Sequence, residues 1–104
     1  MFQDSQDSMV RLGHFLRTAR KRRQWRQEDV ANKLSISLDT VKRAESGQKG
    51  VSIGYILDML SLFSMLESFN LAIDDRNDAI GISLQKEKMK HRVRLEKPRY
   101  DRDF

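Results

Sequence analysis

Cysteine is absent from this 104-residue chain. That excludes a disulfide frame and a thiolate metal site, and it suits a reducing cytosol. Long apolar runs are missing too, so no stretch approaches a membrane span. The N-terminus, MFQDSQDSM, is acidic and polar, unlike a signal peptide. There is no glycine run of the kind that cradles phosphates. The two histidines, His14 and His91, have no cysteine or carboxylate at metal-ligand spacing. His14 sits among apolar neighbours as a partly buried surface residue, and His91 lies inside a basic tail. Asp74, Asp75 and Asp78 lack the alternation and distal Glu of a calcium loop. No catalytic constellation can be assembled, so an enzyme is not expected, nor is a cofactor.

What is present is positive charge. The net charge is +5, with a pI of about 9.8, which favours an anionic partner without naming one. At 38% hydrophobic, a chain of this length builds one modest core, mostly from short helices.

The chain is organised around Gln27 to Gly47. Here the pattern predicts a helix over 27–34, a turn at Ser35-Ile36-Ser37, and a second helix over 38–46. Val30, Ala31 and Leu34 share one face of the first helix. Ile36, Val41 and Ala44 supply the matching apolar face. Ala31 is small where a second helix must cross closely, and Ser37 is placed to cap that helix by accepting a backbone N–H. Leu38, Asp39, Thr40, Lys42, Arg43 and Glu45 remain on the second helix. Apart from Leu38 they are polar, and several share a face with nothing to pack against. That describes a recognition helix.

The segment resembles the helix-turn-helix of the Xre family, the lambda-repressor and Cro type. The matches are Gln27 opening the positioning helix, Ala31 four residues on, Val41 fourteen on, and Glu45-Ser46-Gly47 at the close. Ser35 departs from the family, which usually has glycine in the turn. Serine tolerates a left-handed backbone less well, so slight strain is expected there.

On either side the chain reads as follows. Residues 1–8 have little to bury and are expected to be loose. Asp7 or Ser8 can cap a helix over 9–23 whose apolar stripe is Leu12, Phe15, Leu16 and Ala19. Its end is densely basic, with Arg17, Arg20, Lys21, Arg22 and Arg23, then Arg26 beyond. These fit a solvated face near a helix C-terminus, or, beside a helix-turn-helix, phosphate contact, Arg26 above all. Trp25 reads as a core plug between the first two helices. Gly47 or Gly50 ends the recognition helix. Ser52 caps a fourth helix with Ile53, Ile56, Leu57, Leu60 and Phe63 inside, where Gly54 suits a close helix contact. Met65, Leu66 and Phe69 suggest a short fifth helix.

The polar run 74–78 is the expected end of the domain. Ala79, Ile80, Ile82 and Leu84 fit either helix or strand. From Lys86 the chain is strongly basic (Lys88, Lys90, Arg92, Arg94, Lys97, Arg99), and Pro98 leads into the end YDRDF. With few apolar residues this tail is expected to stay disordered until bound. The expected organisation is a flexible 1–8, a domain over 9–73 and a basic extension over 74–104. The resemblance implies an all-α, five-helix, lambda-repressor-like fold for the domain.

It also implies double-stranded DNA as partner, and it assigns roles. Leu38, Asp39, Lys42 and Arg43 match positions that look into the major groove. Arg26, Gln27, Ser37, Thr40, Ser46 and Lys49 are placed for backbone contacts, with Gln27 also bracing the recognition helix. Such proteins bind inverted repeats as homodimers. The apolar run Met65, Leu66, Phe69, Leu71 and Ile73 lies where the resembling proteins dimerise, although it can instead finish the monomer's core. No metabolite-sensing domain is expected within this length. Within the Xre group the chain is most similar to HipB-type antitoxins, which repress their own operon and bind a HipA-like kinase toxin. A cytoplasmic bacterial or phage repressor, at the nucleoid, is therefore expected. The competing readings are a stand-alone phage-type or chromosomal repressor, a non-specific RNA-binding or architectural basic protein, and an interaction adaptor that keeps the fold without its DNA face.

Overall fold

A computed structural model of the chain describes residues 2–95, and among them every regular element is helical. The elements are α1 (Phe2–Arg22), α2 (Gln27–Leu34), α3 (Leu38–Glu45), α4 (Ile53–Leu62), α5 (Leu66–Ala72), a short 3₁₀ turn (Asp75–Asn77) and α6 (Ala79–Leu95). The all-α expectation holds. The chain forms two compact units, residues 1–68 and 69–104, with the division inside α5.

The core of the first unit is Leu16 and Ala19 from α1, Val30 and Ala31 from α2, Val41 and Ala44 from α3, and Ile56, Met59 and Leu60 from α4, with Phe63 just beyond. Helix α3 packs on α1 and α2, and α2 also packs on α4. Two expected core positions turn outward. Phe15 is 38% exposed and Ile53 is 63% exposed. Phe15 flanks the Leu12–Leu16–Ala19 stripe instead of lying on it. Ile53 opens α4 one turn before its inner face begins at Ile56.

Glycine decides how closely α1 and α3 approach. A Cβ built on Gly13 would lie 2.5 Å from the Glu45 carbonyl oxygen and 2.8 Å from that of Ala44. Gly54, by contrast, is exposed, with only the side chain of Ser52 near it. The close helix contact expected there belongs to Gly13. Gly47, at φ +75°, lies against the backbone of Met9 and Val10.

Trp25 is half-buried and lies on the end of α4, where its ring stacks on Phe63 at 6.1 Å. The Lys33 ammonium sits 4.7 Å over the Trp25 ring and the Arg23 guanidinium 5.1 Å over Phe63. These cation–π contacts close the edge of the core.

Local chemistry sets the helix ends. Ser37 Oγ accepts from the Thr40 N–H and starts α3, as expected. Ser52 does the same for α4 through Gly54. Helices α1, α2 and α4 each end on a non-glycine residue in the left-handed region, at Gln24, Ser35 and Ser64. In each case the next N–H returns to a carbonyl five residues back: Trp25 to Arg20, Ile36 to Ala31, and Met65 to Leu60. Ser35, at φ 55° and ψ 44°, carries the strain that the sequence foreshadows. Ser35→Gly is therefore expected to stabilise the fold by about 1 kcal/mol, read as a raised urea midpoint. A lowered midpoint would mean that the serine side chain contributes more than its backbone costs.

Two expectations about the ends are corrected. Helix α1 begins at Phe2, so residues 2–8 are helical, and Asp7 and Ser8 lie within the helix without capping it. The basic run is also helical as far as Leu95, and the ambiguous stretch 79–84 forms the start of the same helix. Asp78 Oδ1 accepts from the Gly81 N–H in the first turn of α6. Lys, Glu, Gln and Met favour helix without needing an apolar stripe. Cations at the far end complement the helix dipole. Within the same unit Asp74 caps the 3₁₀ turn through the Arg76 N–H at 2.8 Å. Hydrogen bonding from Arg76, side chain first, holds the Asp74 carboxyl below its ordinary value. Lys97, Pro98 and Arg99 lie outside the described residues. No helix among those described is long and apolar enough to cross a membrane.

Candidate nucleic-acid interface

Helix α3 buries Val41 and Ala44 and turns its opposite side to solvent. Asp39, Lys42 and Ser46 are exposed, and Arg43 is half-buried. From Asp39 these positions run i, i+3, i+4 and i+7, which gathers them on one face. Leu38 is half-buried at the edge of that face. Thr40 turns sideways, its hydroxyl 2.8 Å from Ser37 Oγ. Lys49 is exposed in the loop that follows. Of the positions expected to face DNA, Asp39, Lys42, Arg43 and Ser46 thus share a single face, exposed except at the half-buried Arg43.

Behind that face, Glu45 ties three helices together. Its carboxylate accepts from Arg20 Nε at 2.7 Å, Arg20 Nη2 at 3.1 Å and Gln27 Nε2 at 3.0 Å. Arg20 Nη1 also donates to the Trp25 carbonyl at 2.8 Å. The Arg20 and Glu45 side chains are only 9% and 6% exposed. A bidentate, nearly dry ion pair therefore fixes α3 to α1, while Gln27 brings in α2. Arg20 is corrected from its expected place in a solvated or phosphate-facing cluster. Arg23 stays exposed, and its guanidinium donates to the Ala19 and Phe63 carbonyls at 2.9 Å each. Gln27 braces α3 by way of Glu45.

Arg26 remains at the surface, its side chain 75% exposed and 3.4 Å from Asp29. Asp29 also accepts the Arg26 backbone N–H at 2.7 Å, which closes the start of α2. That backbone hydrogen bond, then the side-chain one, holds the Asp29 carboxyl below its ordinary range. The Asp29 hydrogen bond and charge in turn raise the Arg26 guanidinium. Arg26 thus keeps its charge with one flank already occupied.

Met65, Leu66 and Phe69 are half-buried, whereas Leu71 and Ile73 are 65% and 62% exposed. His14 is exposed, not partly buried as expected. No group of three or more His, Cys, Asp or Glu among the described residues is arranged to hold a metal.

Three residues of the site escaped sequence reasoning: Gly13, Arg20 and Gln48. Gly13 had a signal, a lone glycine inside a helical apolar stripe, which usually marks a close packing contact. Arg20 had none of its own among five similar neighbours. Gln48 accepts from Arg43 Nε at 3.1 Å, a contact made by the folded loop alone.

Residues 11–67 match a family model described as a helix-turn-helix domain, a span running from α1 into α5. No curated protein and no solved structure matches the chain.

Proposed function

We propose that this chain, which belongs to the helix-turn-helix domain family, is a DNA-binding regulator that represses transcription at an inverted-repeat operator. The observation that carries the reading is the polar outer face of α3, tied to α1 and α2 by the Arg20–Glu45–Gln27 cluster. Affinity would come from phosphate neutralisation and specificity from side chains at base edges.

In this reading Arg43 pairs with a guanine, Lys42 reaches guanine or a phosphate, and Asp39 accepts from a cytosine amine. Leu38 touches a thymine methyl. Arg26, Gln27, Ser37, Thr40, Ser46 and Lys49 contact the backbone. For Gln27, Ser37 and Thr40 such contacts must coexist with the hydrogen bonds they already make. Arg43→Ala is expected to lose roughly 1–3 kcal/mol of discrimination at one base position. Competition binding against single-base variants of the preferred duplex checks this. Uniform weakening across the panel would instead make Arg43 a phosphate contact.

One such face offers few groove contacts, so two chains per inverted repeat are expected, with half-sites about one helical turn apart. We place the dimer contact at Met65, Leu66, Phe69, Leu71 and Ile73; the exposure of Leu71 and Ile73 supports that choice. Saturation at one chain per repeat would contradict it. The narrower role, an antitoxin for a HipA-like kinase, rests on the resemblance. It requires a stable complex with such a kinase encoded nearby. Without one, a stand-alone repressor remains.

A reading of another class, a non-specific nucleic-acid-binding protein, draws on the exposed Lys86, Lys88 and Lys90 of α6. It predicts no preference among duplexes.

A further inference from the structure

We propose that Gln48 and Gly50 are positioning residues that pre-orient Arg43, so that it reads its base end-on through Nη1 and Nη2. The proposal rests on the reading of Arg43 as a base contact and deepens it.

The geometry starts from Gly47. Its left-handed backbone turns the chain back at the end of α3. Its lack of a Cβ lets it sit on α1, where an added Cβ would lie 2.9 Å from Val10 Cα. The loop is thereby anchored from behind. Gln48 then returns over the last turn of α3, its N–H donating to the Arg43 carbonyl at 3.1 Å. In the same place its side-chain oxygen accepts from Arg43 Nε, also at 3.1 Å. Backbone and side chain of one loop residue thus hold both ends of Arg43. Gly50 supplies the remaining space, since a Cβ there would lie 2.5 Å from Arg43 Nη2.

A guanidinium carries its donors in a rigid planar fork. With Nε committed to Gln48, the free edge is the Nη1/Nη2 pair, whose parallel donors suit O6 and N7 of guanine. Holding a long side chain in this orientation beforehand removes ordering cost at the moment of binding. Neither position belongs to the core. Gln48 and Gly50 are exposed, and Gly50 does not have the positive φ of Gly47. Substitution at either site is therefore expected to leave folding intact, and the atom that yields to a Gly50 side chain is the tip of Arg43.

The test uses the full chain and a panel of duplexes in which each base pair of the preferred site is changed in turn. Gln48→Ala is expected to reduce discrimination about tenfold at the position lost in Arg43→Ala, and nowhere else. Gly50→Ala should lose the same position. Gln48→Glu keeps the acceptor and should retain discrimination there, while weakening every duplex through its added negative charge. In an Arg43→Ala background, Gln48→Ala should cost nothing more. Unchanged discrimination in Gln48→Ala, with Arg43→Ala still losing its position, would overturn the positioning role alone. Uniform weakening by Arg43→Ala would overturn the base-reading role and the positioning role together.

Discussion

Arg20→Ala is expected to cost about 3–5 kcal/mol of folding free energy, read as a large drop in the urea or thermal midpoint. The cost comes less from the lost attraction than from what stays behind. Glu45 is nearly dry, and without Arg20 its charge keeps only the Gln27 amide. The Trp25 carbonyl also loses its donor from Nη1. An exposed ion pair with the same distances would contribute about 0–1 kcal/mol. A loss below that limit would mean water reaches the pair. Because the pair sets where α3 sits on α1, surviving Arg20→Ala protein should also bind DNA less selectively.

Gly13→Ala should lower stability by about 1–3 kcal/mol, the ordinary penalty for overpacking. The sign is informative. In an isolated helix alanine exceeds glycine by about 1 kcal/mol, so propensity alone predicts a gain. The fold predicts the reverse, because the new methyl would meet two backbone carbonyl oxygens of α3, at 2.5 and 2.8 Å. Backbone in a packed helix cannot yield as a side-chain tip can, so α1 and α3 must separate. A raised midpoint on thermal unfolding would contradict this account of the interface.

How legible these features were in the sequence follows from what each depends on. The unit α2–turn–α3 was readable because its determinants are local. Val30, Ala31, Val41 and Ala44 announce buried faces by spacing, and all four are buried. Ser37 announces a cap by residue type and position. The exposed face of α3 was readable by subtraction, since Asp39, Lys42 and Arg43 are what remain once the apolar positions are assigned. Arg20 was not readable, because Arg17, Lys21, Arg22 and Arg23 share its chemistry and only a partner 25 positions away singles it out. Gln48 depends likewise on the fold of the loop after Gly47. Phe15 and Ile53 were misplaced because a position beside a stripe, or one turn ahead of it, differs little in spacing from one within it. The helical extents at Phe2–Ser8 and 86–95 were missed for a different reason. Over 86–95 helix-favouring side chains suffice without a buried stripe, whereas 2–8 has no such bias, and the tie from Gln6 Nε2 to the Gly47 carbonyl depends on the fold.

The proposed role of α3 is to read sequence. Its most direct test is a titration of the full chain against the duplex just upstream of its own coding sequence, with a scrambled duplex as control, at several salt concentrations. If α3 reads sequence, preference for the native duplex persists at physiological salt, as base-edge contacts require. Equal affinity for both duplexes, falling steeply as salt rises, would contradict that role by showing that only phosphates are read.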